Sequence, residues 1–187
     1  AFYGRHREPT SFLNTITSWP ASMKSRLLLL CRYNVWANQR IAKFLMEAGD
    51  KIADQELVSS FPTIRKTLYH IWDAQVIWHS RLLGESPNSW PSHHFSGSLQ
   101  EALDALLENS HAFVRYCENL PENGEEQTVE FKSLDGTSYF NTAAEIIMHV
   151  MNHGTFHRGQ LITMLRNAEF TGVTSTDLIR FYREEKK

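Results

Sequence analysis

The fold that this sequence of 187 residues predicts is all-α: a four-helix bundle followed by a short C-terminal helix. Three observations predict it. Four long stretches carry apolar residues at the three- and four-residue spacing that lines one face of an α-helix. Prolines fall between those stretches, and capping boxes open two of them. A single short segment, between the third and fourth stretches, has the composition of strands.

Residues 1–22 show no sustained periodicity and close with Pro20 ahead of Met23. They read as an extension outside the bundle, and 23–187 as one domain. From Lys24 to Ala48 a stripe of Leu27, Leu30, Tyr33, Ala37, Ile41, Phe44 and Leu45 marks the first helix, stopped by Gly49 as a left-handed cap. Pro62 is expected to open the second, since its missing N–H costs nothing there. Ile64, Leu68, Ile71, Trp78 and Leu82 form that stripe, and Gly84 closes it. The polar, turn-rich residues 85–98 are a loop.

Ser98 and Glu101 form the capping box of the third helix, which carries Leu99, Leu103, Leu106, Phe113 and Cys117 and ends before Pro121. Val129–Phe131 and Tyr139–Phe140 flank the turn-like Leu134-Asp135-Gly136-Thr137, which points to a short hairpin or an irregular excursion. Thr142 and Glu145, a second capping box, start a fourth helix that runs to about Asn167. The last helix is expected at about 176–184.

A hydrophobic content of 42% with 21% charged residues is that of an ordinary globular domain. The net charge of −2 gives no general attraction to nucleic acid or to an anionic membrane. The longest apolar run, Leu27 to Cys31, is far short of the ~20 residues that span a bilayer. Cys31 and Cys117 read as small apolar residues of a reducing compartment, with a disulfide as the other reading. The expected location is cytoplasmic.

The run HVMNHGTFHRGQ sets His149, His153 and His157 four residues apart. In a helix that spacing advances about 400°, so neighbours sit one turn apart, about 6 Å along the axis and about 40° around it. Imidazoles so placed converge on one metal ion. Histidine is a mediocre helix former, and an apolar residue fills a core face at lower cost. His149 and His157 are separated by about 12 Å and about 80°, too far to share an ion. The pair is therefore His149/His153 or His153/His157, and a third ligand comes from another helix. His70, mid-helix with Thr67 and Ala74 a turn away, is the best candidate, and His79 a weaker one. His6, His93 and His94 fall in loops, and His111 lies off the stripe of the third helix.

Three further pieces accompany these histidines: Tyr33-Asn34-Val35-Trp36-Ala37-Asn38 on the first helix, Leu68-Tyr69-His70-Ile71 with Trp78 and Arg81-Leu82-Leu83-Gly84 on the second, and Asn152-His153-Gly154-Thr155-Phe156-His157-Arg158-Gly159-Gln160 on the fourth. In that order and spacing the chain resembles the DinB family, a branch of the DinB/YfiT-like superfamily of metal-dependent bundle proteins. The likeness covers about residues 24–184. It implies an up-down-down-up bundle, often dimeric, with His70, His153 and His157 as ligands and His149 as a neighbour of the site.

Three neutral imidazoles leave coordination positions open, the arrangement of a reactive metal. The donor set accepts Zn, Ni, Cu, Fe or Mn. Some relatives are similar to thiol S-transferases that use low-molecular-weight thiols, others to mycothiol-dependent isomerases. The resemblance thus implies, first, a metal-dependent thiol S-transferase. Its partners would be a small thiol, an electrophilic small molecule and a second copy of the chain, with no nucleic acid and no membrane. Two other classes compete: a non-catalytic metal-binding or stress-response module, and an interaction protein whose metal is structural. Around the ligands, Gln160 shares a face with His157 and is expected to hydrogen-bond a ligand or substrate. Arg158 is expected to pair with a carboxylate of a neighbouring helix, Gly159 to permit close packing, Trp36 to fill core and Asn38 to bond between helices.

Overall fold

The computed structural model describes residues 22–186. The extension read at 1–22 lies, apart from Ser22, outside the described residues. Helix α1 spans Met23–Ala53, and the Ser22 side chain accepts from the backbone N–H of Ser25 at its start. Gly49 (φ 75°, ψ 172°) leaves helical geometry as expected, but the chain then makes one more turn to Ala53. The break is at the glycine and the end is not.

Helix α2 spans Ile64–Leu82, and Thr63 caps it by accepting from Lys66 N–H. Pro62 therefore stands before the cap and does not open the helix. A hydroxyl that satisfies an orphan N–H outcompetes a proline that merely lacks one. Helix α3 spans Leu99–Asn119 behind the Ser98/Glu101 box, and α4 spans Ala143–Asn167 behind the Thr142/Glu145 box. Between them β1 (Thr128–Lys132) pairs antiparallel with β2 (Ser138–Thr142), with Phe131 opposite Tyr139. Helix α5 is Leu178–Glu184.

Helices α1 and α2 each pack against α3 and α4, so α1 and α2 occupy opposite corners of the bundle, as do α3 and α4. Its core is divided. At one end Leu27 and Cys31 of α1, Leu82 of α2, Phe113 and Cys117 of α3, and Ile146 and Val150 of α4 pack under Phe131 of the hairpin. At the other, Ile41 and Leu45, Ile64 and Leu68, Leu103 and Leu106, and Leu161 and Leu165 close together. Two helices begin at the hairpin end and two finish there.

Between the apolar halves lies a buried polar layer. Asn34 and Asn38 of α1 both donate to Gln75 Oε1 (2.8 and 3.2 Å), and Asn38 also donates to Ser110 Oγ of α3 at 3.0 Å. Arg158, 1% exposed, donates to the carbonyl oxygens of Asn34 (2.6 Å) and Asn38 (3.0 Å) and to Thr155 Oγ1 (3.0 Å). The expected carboxylate partner is replaced by these amides and by the Tyr33 ring, 5.4 Å away. A guanidinium is weakly hydrated and planar, and neutral acceptors plus an aromatic face suffice to hold it. Asn38 bonds between helices as expected.

A Cβ on Gly154 would meet Arg158 Nη1 at 2.8 Å and Asn34 Oδ1 at 3.1 Å, whereas one on Gly159 would meet nothing within 4 Å. The glycine that permits close approach is Gly154, which corrects the expectation for Gly159. Trp36 is only half-buried. It packs its ring against Phe181 of α5 and donates to Glu184 Oε2 at 2.8 Å, so it docks the last helix and does not fill the bundle core. Cys31 and Cys117 are buried free thiols with their sulfurs 3.4 Å apart. Among the described residues no helix is long and apolar enough to cross a membrane.

Candidate metal centre

The α2–α4 contact carries the histidines. His70 lies at mid-α2, and His153 and His157 stand on successive turns of α4, facing it. Their ring centroids are 4.8 Å (His70–His153), 4.5 Å (His70–His157) and 4.4 Å (His153–His157) apart. His153 Nε2 is 2.9 Å from His70 Nε2, and one nitrogen from each ring lies within 4.8 Å of the other two. Ligands held at about 2.0–2.1 Å by one ion stand about 3.0–3.4 Å apart at ordinary coordination angles. The His70–His153 pair already stands close to that spacing, and the three nitrogens together could hold a divalent ion.

Of the two pairings left open by helical spacing, His153/His157 is the one that the structure brings together with His70. His149 is outside the trio: its ring centroid is 5.9 Å from that of His153 and packs edge-on to Trp78 at 4.9 Å. His79 faces away, against Phe113 and Tyr116 of α3 at 5.2 and 6.3 Å. His93, His94 and His111 are exposed, and His6 is outside the described residues.

Burial holds all three rings in the neutral form, whose lone pairs a metal needs. The His70 pKa is pushed below the usual 6.5 by desolvation and then by His157. Desolvation, followed by the proximity of His157, His70, His149 and Arg158, takes His153 down to about 3. His157 is lowered by desolvation against an opposing hydrogen bond to Gln160. That bond, His157 Nδ1 to Gln160 Oε1, is 2.7 Å long, and Gln160 Nε2 in turn donates to Ser60 Oγ at 3.0 Å. Since the amide oxygen only accepts, Nδ1 carries the proton and Nε2 is left for a ligand bond.

Phe61 covers the site, 4.4 Å from the His70 ring and 6.0 Å from His157. Ser60 and Phe61 belong to the α1–α2 loop, where periodicity carries no signal, and sequence reasoning missed both. A cavity of about 410 Å³ adjoins the trio, walled by His70, His153, Trp78, Arg81, Trp90 and Leu134. Trp90 is brought there by a loop anchored to α2: Asp73 accepts from Ser92 N–H (2.8 Å) and Ser92 Oγ (2.6 Å). Two larger hollows, about 600 Å³ beside Tyr33 and Met148 and about 500 Å³ beside His79 and Tyr116, hold no comparable trio.

The sequence model of the DinB family matches residues 23–184. The chain is similar to Protein DinB of Bacillus subtilis (strain 168), 28% identical over 166 residues that span 84% of this chain and 95% of the relative. Among solved structures it is similar to a DinB-like protein from Bacillus cereus ATCC 10987, with a TM-score of 0.64 at 18% identity over 81% of this chain and 96% of that one. A DinB-like protein from Bacillus subtilis follows at TM-score 0.54 and 13% identity, over 83% and 96% of the two chains. At such identities the structural likeness speaks for the fold alone.

Proposed function

The chain belongs to the DinB family, and on that premise we propose that His70, His153 and His157 hold one divalent metal ion that activates a small thiol for transfer to an electrophilic substrate. The observation that supports this most is the trio itself: three neutral imidazole nitrogens within 4.8 Å, with a cavity alongside. A divalent ion on nitrogen ligands lowers the pKa of a thiol or water that it binds and so supplies a nucleophile at neutral pH.

The protein's own residues do the rest. His157 is fixed in one tautomer by Gln160, and Phe61 shields one side of the rings from water. Neither cysteine serves as nucleophile, because both are sealed in the hydrophobic cluster beneath the hairpin. The sulfur must then come from a cosubstrate thiol. In the step, the thiol's proton passes to solvent, its sulfur forms a bond to the electrophilic carbon, and the leaving group departs with the electron pair. Metal-loaded protein should accelerate conjugation of a host thiol (glutathione, bacillithiol, mycothiol or cysteine) to a haloarene. No acceleration over metal-free protein with any of the four would end the transferase reading.

A structural role for the ion is the second reading, because the trio links α2 to α4 across the bundle. The apolar clusters at both ends are complete without a cross-link. Chelated protein should therefore keep its helical circular dichroism and melt cooperatively, a few degrees lower. Loss of the helical signal on chelation would favour the staple.

A further inference from the structure

We propose that the cavity beside the three histidines is a subsite for a carboxylate-bearing small molecule, and that Arg81 holds the carboxylate. The inference deepens the function proposed above by naming its substrate class, and as a binding claim it stands or falls without the metal.

Arg81 sits in the last turn of α2 and is 7% exposed. Its guanidinium carbon lies 4.3 Å from the Trp78 ring centre and 4.6 Å from that of Phe131, so aromatic faces hold the plane. Within the described part of the chain it makes one long bond, from Nη2 to the carbonyl of Lys132 at 3.4 Å, and its buried Nε has no partner there. Among the described residues it forms no ion pair. Arg40 and Arg158 also leave a buried Nε without a partner, but their Nη atoms are bonded. Arg65 is paired with Asp54 and Asp50 at 2.6 Å each, and both Nη atoms of the buried Arg158 are occupied at 2.6–3.0 Å. Burial also pushes the Arg81 pKa down.

A guanidinium laid against two aromatic rings, in the wall of a cavity and with no carboxylate bonded to it, is a fork for a planar anion. The wall holds one opposing charge, Asp135, whose carboxylate accepts from Ser133 Oγ and Thr137 N–H in its own turn. With Arg81 and Asp135 both present, a singly charged carboxylate suits the cavity better than a phosphate dianion. Ala74, Ile77, Trp90 and Leu134 offer apolar contact to the rest of the ligand, and His70 and His153 on the same wall place its other end by the metal position. A volume of about 410 Å³ falls within the range of small-molecule sites.

The carboxylate could belong to the thiol or to the acceptor, and the test has an arm for each. Binding to metal-free protein is measured by tryptophan fluorescence and calorimetry for 3-mercaptopropionate against its amide, and for phenylacetate against phenylacetamide. In at least one pair the carboxylate should bind the parent tenfold or more tightly than the amide, and that pair identifies the source. Arg81→Met should erase the preference while leaving amide binding within about twofold, and Arg81→Lys should retain part of it. Equal binding of acid and amide by the parent, or no binding of either acid, would overturn the proposal without any variant. So would a preference that survives in Arg81→Met, or equal loss of acid and amide in that variant. Metal stoichiometry, titrated separately on the parent and on Arg81→Met, tells failure of the metal reading apart from failure of this one.

Discussion

Gln160 Oε1 and His157 Nδ1 are 2.7 Å apart, three residues along the same helix, and this contact determines which nitrogen of His157 faces its two partners. With the proton held at Nδ1, the Nε2 lone pair is fixed without help from any other element. A ligand oriented in this way binds metal more tightly than one free to flip. Gln160→Ala should therefore weaken metal affinity about tenfold or more while the helical content stays that of the parent. Competition with a chelator of known affinity measures it. Unchanged affinity would mean that the amide only ties α4 to Ser60.

His149 and His153 differ in the same experiment. His149 stands against Trp78 and outside the trio, so His149→Ala should keep the parent's metal stoichiometry. His153→Ala removes the ring whose Nε2 lies 2.9 Å from His70 Nε2 and whose centre is 4.4 Å from that of His157, and should abolish tight binding. Equal loss in both variants would mean that the ion sits one turn toward the N-terminus of α4.

Metal-free protein should lose stability as the pH falls from about 7 toward 5. The pKa values of His70, His79, His149, His153 and His157 all lie below the ordinary 6.5 in the folded chain, chiefly through desolvation. The unfolded chain then binds more protons once the pH drops through 6.5, so the contribution is intact above that value and is lost below it. For His153 the loss continues down to about 3. Denaturant midpoints at pH 8, 6 and 5 would show it, and His153→Gln should flatten the dependence. A flat parent curve would contradict the burial of these rings.

Glycine substitutions on α4 should separate cleanly. Gly154→Ala forces a methyl against Arg158 and Asn34 and should cost about 1–3 kcal/mol. Gly159→Ala meets no atom and should stabilise by about 0.5–1 kcal/mol, the ordinary helical preference for alanine. Thermal melts of the two variants decide it.

The helices and their caps were legible because each is a local code: Ser98 with Glu101 and Thr142 with Glu145 sit where the chain turns helical. The histidine trio was legible for a similar reason, since two members lie one turn apart and the third interrupts another stripe. What escaped the sequence was whatever depends on a distant partner. Arg158 gives no sign in its own neighbourhood that asparagine amides, and not a carboxylate, await it on α1. Phe61 lies in a loop of no pattern, and only the folded course of that loop lays its ring against His70. Pro62 was misplaced because its neighbour Thr63 offers the stronger cap.

Arg158 follows His157 directly, and about 100° of rotation separates them. One points into the amides of α1 and the other toward α2. Sliding α4 by a turn, or rolling it by a fraction of one, would strip a buried cation of its acceptors, so α4 has a single permitted register. The aim of the two imidazoles on α4 is thus set from another face of that helix, by residues outside the histidine trio. Exchanging Asn34 or Asn38 for an apolar residue of like size should blur the metal site before it unfolds the protein. The placing of the histidines in this bundle is inherited from a lock on a neighbouring face.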